Sequence, residues 1–209
     1  MAIQINGNGT ITGISSGGLP AGSITSATLA DGAASGTKLT MPSGSVIQTV
    51  STNYTGTSAV SVPNASLADT PATVTITSVA ANSKFLISAG VNGEASTTDH
   101  DYGFVLRRVI GGSGASLNVG GSAGSRSQIS FMQSLGYHGD DQSSTPSTSV
   151  LAPYLDSPSQ AAGTAITYKI AIMGLGTSGT FYFGYTGGNS DNANNERTPN
   201  HITVQEIAA

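Results

Sequence analysis

The sequence has no cysteine, no tryptophan and few charged residues of either sign. The lack of cysteine excludes disulfide bonds, a thiolate nucleophile and a cysteine-ligated zinc site. Only 9% of the residues are charged, whereas an average soluble domain has roughly 25%. With seven Lys and Arg residues and a net charge of −4, the chain offers no evident basic patch for a phosphate backbone. We therefore expect no nucleic-acid partner.

Long apolar runs are also missing. None approaches the roughly 18 residues that a membrane-spanning helix requires, so we expect no membrane insertion. The first residues lack the basic and apolar regions of a secretory signal peptide, and we expect none. Glycine is abundant instead, at 28 of 209 residues. A surface with so few charges is poorly protected against association, which favours burial of part of it in an oligomer.

Residues 1–44 differ in pattern from the rest of the chain. Alternating apolar residues around an Asn-Gly-Asn-Gly turn predict a small hairpin over residues 1–14. Further along, Ile24, Leu29 and Leu39 belong to an apolar row that recurs every five residues, a spacing that fits neither a helix nor a strand. Copies stacked around an axis would bury this row, so we predict an extended, oligomerised stem. A flexible Gly/Ser-rich linker is the alternative.

Residues 45–209 have the texture of an antiparallel β domain. Short runs of β-branched and aromatic residues alternate with Gly-rich loops, and there is no capped amphipathic helix. One run alternates Ile166, Tyr168, Ile170 and Ile172 with more polar residues, as a strand with one buried face does. The pattern predicts a β-sandwich or jelly roll. Nine strands are predicted, over residues 46–50, 73–76, 84–91, 104–110, 128–135, 149–155, 165–173, 180–185 and 202–207.

Several of these strands carry apolar residues on the face that the alternation turns outward. In a monomer they would form an exposed apolar patch, and identical neighbouring chains would cover it. These residues are Leu86, Val105, Met132 and Tyr182.

Two adjacent arginines, Arg107 and Arg108, lie within one predicted strand, so their side chains should point to opposite faces. One of them could pair with a carboxylate in a subunit interface, and plain surface charge is the alternative.

Residues for catalysis are nearly absent from the sequence. There is no Gly-rich phosphate loop, no Gly-x-Ser-x-Gly elbow and no His-Glu-x-x-His pair. A glycosidase needs two facing carboxylates. Glu94 and Asp101 are a candidate pair, but the sequence alone does not show whether their side chains face each other. We therefore predict no catalytic residues, no cofactor and no enzymatic activity.

Two loop clusters are the candidate binding residues. Loops on a rigid β scaffold are common recognition sites, and solvated loop tips are the alternative interpretation. Carboxylates and imidazoles can also ligate a divalent ion, but neither cluster has a diagnostic spacing, so no metal site is predicted. The candidate receptor-binding residues are Asp99, His100, Asp101, Tyr137, His138, Asp140 and Asp141.

Several motifs resemble those of tailed-bacteriophage fibre and virion proteins. Residues 3–39, INGNGTITGISSGGLPAGSITSATLADGAASGTKLT, are similar to their N-terminal segments. The remainder resembles small fibre-head domains in GSVIQTV at 44–50, GSR at 124–126, YLDSP at 154–158, AITYK at 165–169 and ITVQEI at 202–207.

The resemblance implies a homotrimer in a virion assembled in the bacterial host cytoplasm. Residues 1–44 would attach to tail, baseplate or capsid proteins, and residues 45–209 would form a jelly-roll head like that of tumour necrosis factor. The function it implies is a tail-fibre or tail-tip subunit that binds a host surface glycan or outer-membrane protein. A capsid decoration or adaptor protein and a glycan-degrading tailspike remain the alternatives.

Overall fold

A computed structural model of the chain describes most of its residues. The described ranges are 41–96, 102–133, 146–191, 193 and 195–209, with the backbone alone at 4–5 and 11–12.

The chain divides into two units, Met1–Met41 and Pro42–Ala209. In the first unit, β1 (Gln4–Ile5) pairs antiparallel with β2 (Ile11–Thr12), which confirms the strand pairing of the predicted hairpin. The predicted stem residues Ile24, Leu29 and Leu39 lie outside the described residues.

The second unit contains two antiparallel sheets, and none of its described residues is helical. Sheet 1 consists of β3 (Val46–Tyr54), β4 (Ser58–Val62), β6 (Lys84–Ala95), β10 (Ser147–Asp156), β12 (Gly179–Phe183) and β13 (Asn200–Ile207). Sheet 2 consists of β5 (Ala68–Thr77), β7 (Tyr102–Ile110), β8 (Ser113–Leu117), β9 (Phe131–Met132) and β11 (Ala165–Gly174). The prediction of an all-β antiparallel fold is therefore confirmed, and the arrangement is consistent with a β-sandwich.

Each sheet is effectively four strands wide. In sheet 1, β6 pairs with β10 on one side and with β13 and then β12 on the other. Because β3 pairs with β13 and β4 with β12, the strands β3 and β4 form the two halves of one interrupted edge strand. Sheet 2 has the order β5, β11, β7, with β8 and β9 successively along the far side of β7.

The strand predictions were right for eight of the nine runs. The run at 128–135 was wrong in extent, because only Phe131–Met132 is paired among its described residues. The strands β4 and β8 were missed. The sequence of β8, Ser-Gly-Ala-Ser-Leu, has little strand propensity, and the segment is a strand because β7 offers it a register from Leu106 to Ile110.

The core lies between the two sheets and is built from alternate residues of their strands. Phe104 of sheet 2 meets Phe181 of sheet 1 edge to face, with ring centroids 5.5 Å apart. Phe85 and Tyr168 make a second contact between the sheets at 6.0 Å. The predicted inward row of β11, from Ile166 to Ile172, is fully buried. Contacts of this kind fix the two sheets face to face.

The outward direction of Leu86, Val105, Met132 and Tyr182 agrees with the strand register, but they are not equally exposed. Met132 is 47% exposed, Leu86 and Tyr182 are half-buried, and Val105 is buried. The segment between β8 and β9 crosses this part of sheet 2, where Ile129 lies so close to Gly103 that a Cβ there would be 2.5 Å away. The exposed apolar patch on sheet 2 is therefore smaller than the alternation of residues in the sequence predicted.

One end of the sandwich, here called the base, carries the first residues of the unit and short turns. Gly44 N donates to Ala208 O at 2.9 Å, and Ala208 N donates to Ser45 O at 2.9 Å. The turns at 78–83 and 111–112 lie at the same end. The last residues of β4, β6, β9 and β11 lie at the opposite end, here called the loop end.

Candidate functional site

The candidate residues predicted from sequence belong to two segments of the sequence that connect strands. Asp99, His100 and Asp101 lie between β6 and β7, and Tyr137, His138, Asp140 and Asp141 lie between β9 and β10. All seven are outside the described residues. Their assignment to receptor binding stays a prediction.

A third connection, residues 184–199, leaves sheet 1 between β12 and β13, and Asn92 holds both of its ends. Gly184 N donates to Asn92 O at 2.9 Å, and Asn92 N donates to the buried Asn200 Oδ1 at 2.7 Å. The Asn92 amide also donates to Pro199 O and accepts from the Thr148 hydroxyl. An asparagine that uses both its backbone and its side chain in this way fixes where the loop begins and ends.

Hydrogen bonds within the loop shape its middle part. Gly187 N donates to Glu94 Oε2 at 3.0 Å, which ties the loop to the outward side of β6. Asn189 N donates to Thr186 O at 3.2 Å, and Asn195 Nδ2 donates to Ser190 O at 3.3 Å. A loop ordered in advance loses less conformational entropy when a ligand binds.

Three tyrosines and one arginine gather where this loop meets sheet 1. We call Tyr54, Tyr182, Tyr185 and Arg197 the tyrosine cluster. The rings of Tyr182 and Tyr185 meet edge to face at 5.3 Å, and Tyr54 OH donates to Thr57 O at 2.9 Å. Burial raises the pKa of Tyr185, the neighbouring Tyr182 and Tyr54 raise it too, and the charge of Arg197 opposes them.

The chemistry of the tyrosine cluster suits binding rather than bond breaking. Arg197 Nη2 donates to Asn189 Oδ1 at 3.3 Å, which orients the guanidinium. Half-buried tyrosines combine an apolar ring with a polar hydroxyl, and a guanidinium adds a planar set of donors. Together they can stack on a flat apolar surface and hydrogen-bond to polar groups at its rim.

The sequence contained a signal for this site that the strand analysis passed over. Tyr182 and Tyr185 both lie in the strand predicted over residues 180–185, and an Asn- and Gly-rich loop containing Arg197 follows. No sequence spacing indicates that Tyr54, from a distant strand, joins them. That association arises because β3 and β4 pair with β13 and β12.

Two buried carboxylates, Asp156 and Glu206, face the core at the base, and each accepts hydrogen bonds from other residues of the protein. Asp156 and Glu206 both pair with Phe85, from its two sides. They are therefore two strands apart, about 10 Å at the usual strand spacing. Neither is a candidate general acid or base in the described structure, as their contacts explain.

Asp156 of sheet 1 joins two side chains of sheet 2. Its Oδ1 and Oδ2 accept from Arg108 Nη1 at 2.7 and 2.8 Å, and its Oδ2 accepts from Tyr168 OH at 2.8 Å. Burial raises the pKa of Tyr168, and the Asp156 charge raises it further, so the phenol stays protonated as a donor. The prediction that Arg107 and Arg108 face opposite sides is confirmed, with Arg108 inside.

Glu206, which is fully buried, closes the base between β13 and the turn after β5. It accepts from Gln48 Nε2 at 2.6 Å, from Val79 N at 2.9 and 3.0 Å and from Ala80 N at 3.0 Å. Burial alone raises the pKa of Glu206, but hydrogen bonds from Ser83, Val79, Ala80 and Gln48 outweigh it and leave the pKa below its ordinary value.

Among the described residues, no group of three or more His, Asp or Glu side chains is arranged to hold a metal ion. The same part of the chain contains no helix that is long and apolar enough to cross a membrane. No protein-family model matches the sequence, and no curated protein matches it.

Proposed function

We propose that this chain is a non-enzymatic bacteriophage virion protein, a tail-fibre or tail-tip subunit that recognises the host surface with its second unit. The observation that carries the proposal is the tyrosine cluster, which lies where the described part of the loop at residues 184–199 meets sheet 1. Loops held by a rigid scaffold are frequent recognition sites. The motifs at 3–39 and 44–50 support the virion assignment by resemblance, and residues 1–44 attach the head to other virion proteins as a fibrous stem.

The proposed head fold is a jelly roll. Its support is the nesting of the strand pairs: β3/β4 with β13/β12, β5 with β11, β6 with β10 and β7 with β8/β9. A long hairpin of eight strands that rolls up into two sheets has this pattern of pairs.

The proposed assembly is a homotrimer that packs through the outward side of sheet 1. Between Lys84 and Glu94, the outward residues of β6 are uncharged. Beside them on β10, Val150 is 64% exposed and Leu155 is 48% exposed. Leu155 lies directly opposite Leu86 in the register, so these apolar side chains adjoin one another. Identical neighbours would remove them from water.

The trimer predicts a mass of about three times the 20.8 kDa of one chain. Changing Leu155→Asp should shift the protein to monomer, because an unpaired carboxylate in an apolar contact is destabilising. Sedimentation at micromolar concentration measures the mass. Met132→Asp is the matched control, since Met132 is equally exposed but lies on sheet 2. A monomeric wild-type chain would contradict the trimer.

Host recognition is tested by adhesion of the purified protein to host envelope. The double change Tyr182→Ala and Tyr185→Ala, and separately Arg197→Ala, should each weaken adhesion about tenfold or more, since interface aromatics and arginines often contribute more than 1 kcal/mol each. Arg126→Ala is the control, because Arg126 is exposed in a turn elsewhere. The melting temperature of each variant should remain close to that of the wild type.

Two outcomes of the same experiment would change the proposal. Release of reducing sugar ends from host polysaccharide would favour a glycan-degrading tailspike. Failure to bind any host surface, with tight binding to capsid or tail proteins through the head, would favour a decoration or adaptor protein.

A further inference from the structure

Arg107 lies on the outward side of sheet 2, away from the tyrosine cluster on sheet 1. In the register it stands opposite Lys169 of β11 on one side and Ser116 of β8 on the other. Two cations directly opposite each other on a sheet repel unless an anion lies nearby. An anion near Arg107 and Lys169 would therefore reduce the repulsion between their positive charges.

Of these two cations, Lys169 forms an ion pair with a carboxylate, that of Asp69. Lys169 Nζ donates to Asp69 Oδ2 at 2.5 Å. The Arg107 side chain forms no hydrogen bond or ion pair with the described residues. Its Nε is buried and has no hydrogen-bond partner there. A buried donor of a charged group that lacks a partner is unfavourable and calls for a physical reason.

The guanidinium of Arg107 lies close to Gly114 of β8. A Cβ on Gly114 would lie 2.3 Å from Nη2 and 3.2 Å from Cζ of Arg107. A methyl group at position 114 would displace the end of this side chain. The side chain thus lies over the sheet, and its Nε has no hydrogen-bond partner among the described residues.

We propose that Arg107 anchors an oxyanion, a carboxylate or phosphate group of a binding partner, on the outward side of sheet 2. A guanidinium presents parallel N–H groups that match the two oxygens of such a group, and positioning it in advance reduces the entropy lost on binding. The bound anion would also balance the second positive charge of the Arg107 and Lys169 pair. The site is separate from the tyrosine cluster, so it goes beyond host recognition by the loop at 184–199.

The experiment is a titration of the full-length, isotope-labelled protein with inorganic phosphate and, separately, with acetate, observed by NMR. We expect saturable shifts of the Arg107 Nε–H signal and of the Gly114 and Ser116 amides, which weaken as salt is added. A preference for phosphate would indicate a phosphorylated partner, and a preference for acetate would indicate a carboxylate of a protein or acidic sugar.

Two variants test whether the positioned guanidinium is responsible. Arg107→Gln should remove the saturable shifts of Gly114 and Ser116. Gly114→Ala keeps the arginine but displaces it, and should weaken anion binding about tenfold. Arg126→Ala should change nothing. Absence of saturable shifts with either anion, or shifts that persist unchanged in Arg107→Gln, would overturn the proposal, and neither result bears on adhesion through the tyrosine cluster.

Discussion

Replacing Glu206 with alanine should lower the free energy of unfolding by roughly 3–5 kcal/mol, the size expected when a buried charged group with several hydrogen bonds is removed. The change removes the acceptor of the N–H groups of Val79 and Ala80, and it leaves Gln48 Nε2 with Thr77 O as its remaining acceptor. Each buried donor left unsatisfied costs about 1–3 kcal/mol. Chemical denaturation of the wild type and the variant measures the difference.

Two further variants at glutamate positions sharpen this test. Glu206→Gln keeps one acceptor oxygen but turns an amide donor toward other donors, so it should destabilise less than alanine but still clearly. Glu196→Ala is the matched control, because Glu196 is exposed and should be nearly neutral. If Glu206→Ala is as stable as Glu196→Ala, then Glu206 does not hold the base together.

The stability that Glu206 provides should depend on pH. Its folded pKa lies below the ordinary value, so its contribution is fully present above the unfolded pKa of about 4.3 and is lost as the pH falls through the folded pKa. Unfolding free energy measured from pH 6 downward, in about half-unit steps, should show a slope in wild type that is smaller in Glu206→Gln. Equal slopes in the two proteins would contradict the assignment.

Changing Asp156→Ala should also destabilise the protein by roughly 3–5 kcal/mol, because it leaves a partly buried guanidinium without its counter-charge. The Arg108 side chain is 23% exposed and that of Asp156 is 6% exposed, so solvent compensates little for the lost contact. Tyr168 OH loses its acceptor in the same change. Thermal unfolding and denaturant titration both measure the effect.

A double-mutant cycle separates the ion pair from the remaining contacts. Arg108→Met combined with Asp156→Ala should be less destabilising than the sum of the single changes, since the double variant buries no unpaired charge. Asp191→Ala is the control, because Asp191 is exposed and its replacement should have a small effect. Strict additivity of Arg108→Met and Asp156→Ala would exclude the proposed coupling.

Both carboxylates connect the two sheets at the base, so these variants should affect the head without touching the tyrosine cluster. The two kinds of test are therefore independent. A variant at Glu206 that loses stability but retains adhesion when folded would agree with the proposed function, whereas changes at Tyr185 should show the opposite pattern.

The sequence by itself determined the class of fold and the position of most strands. Alternation of apolar and polar residues identified the strand around Ile170, because a side-chain period of two reveals a strand with one buried face. The same period established that Arg107 and Arg108 face opposite sides. Weakly patterned strands such as β8 were missed because their pairing partner, and not their own composition, makes them strands.

Only the tertiary structure decided which arginine is inside and which carboxylates are buried. The register of β7 against β11 turns Arg108 toward the core and leaves Arg107 outside. Glu206 lies in a strand with ordinary alternation, and its burial is possible because the turn between β5 and β6 supplies the N–H donors of Val79 and Ala80. Contacts between segments far apart in the chain determine these features, and local sequence patterns carry no information about which distant segment will supply a partner.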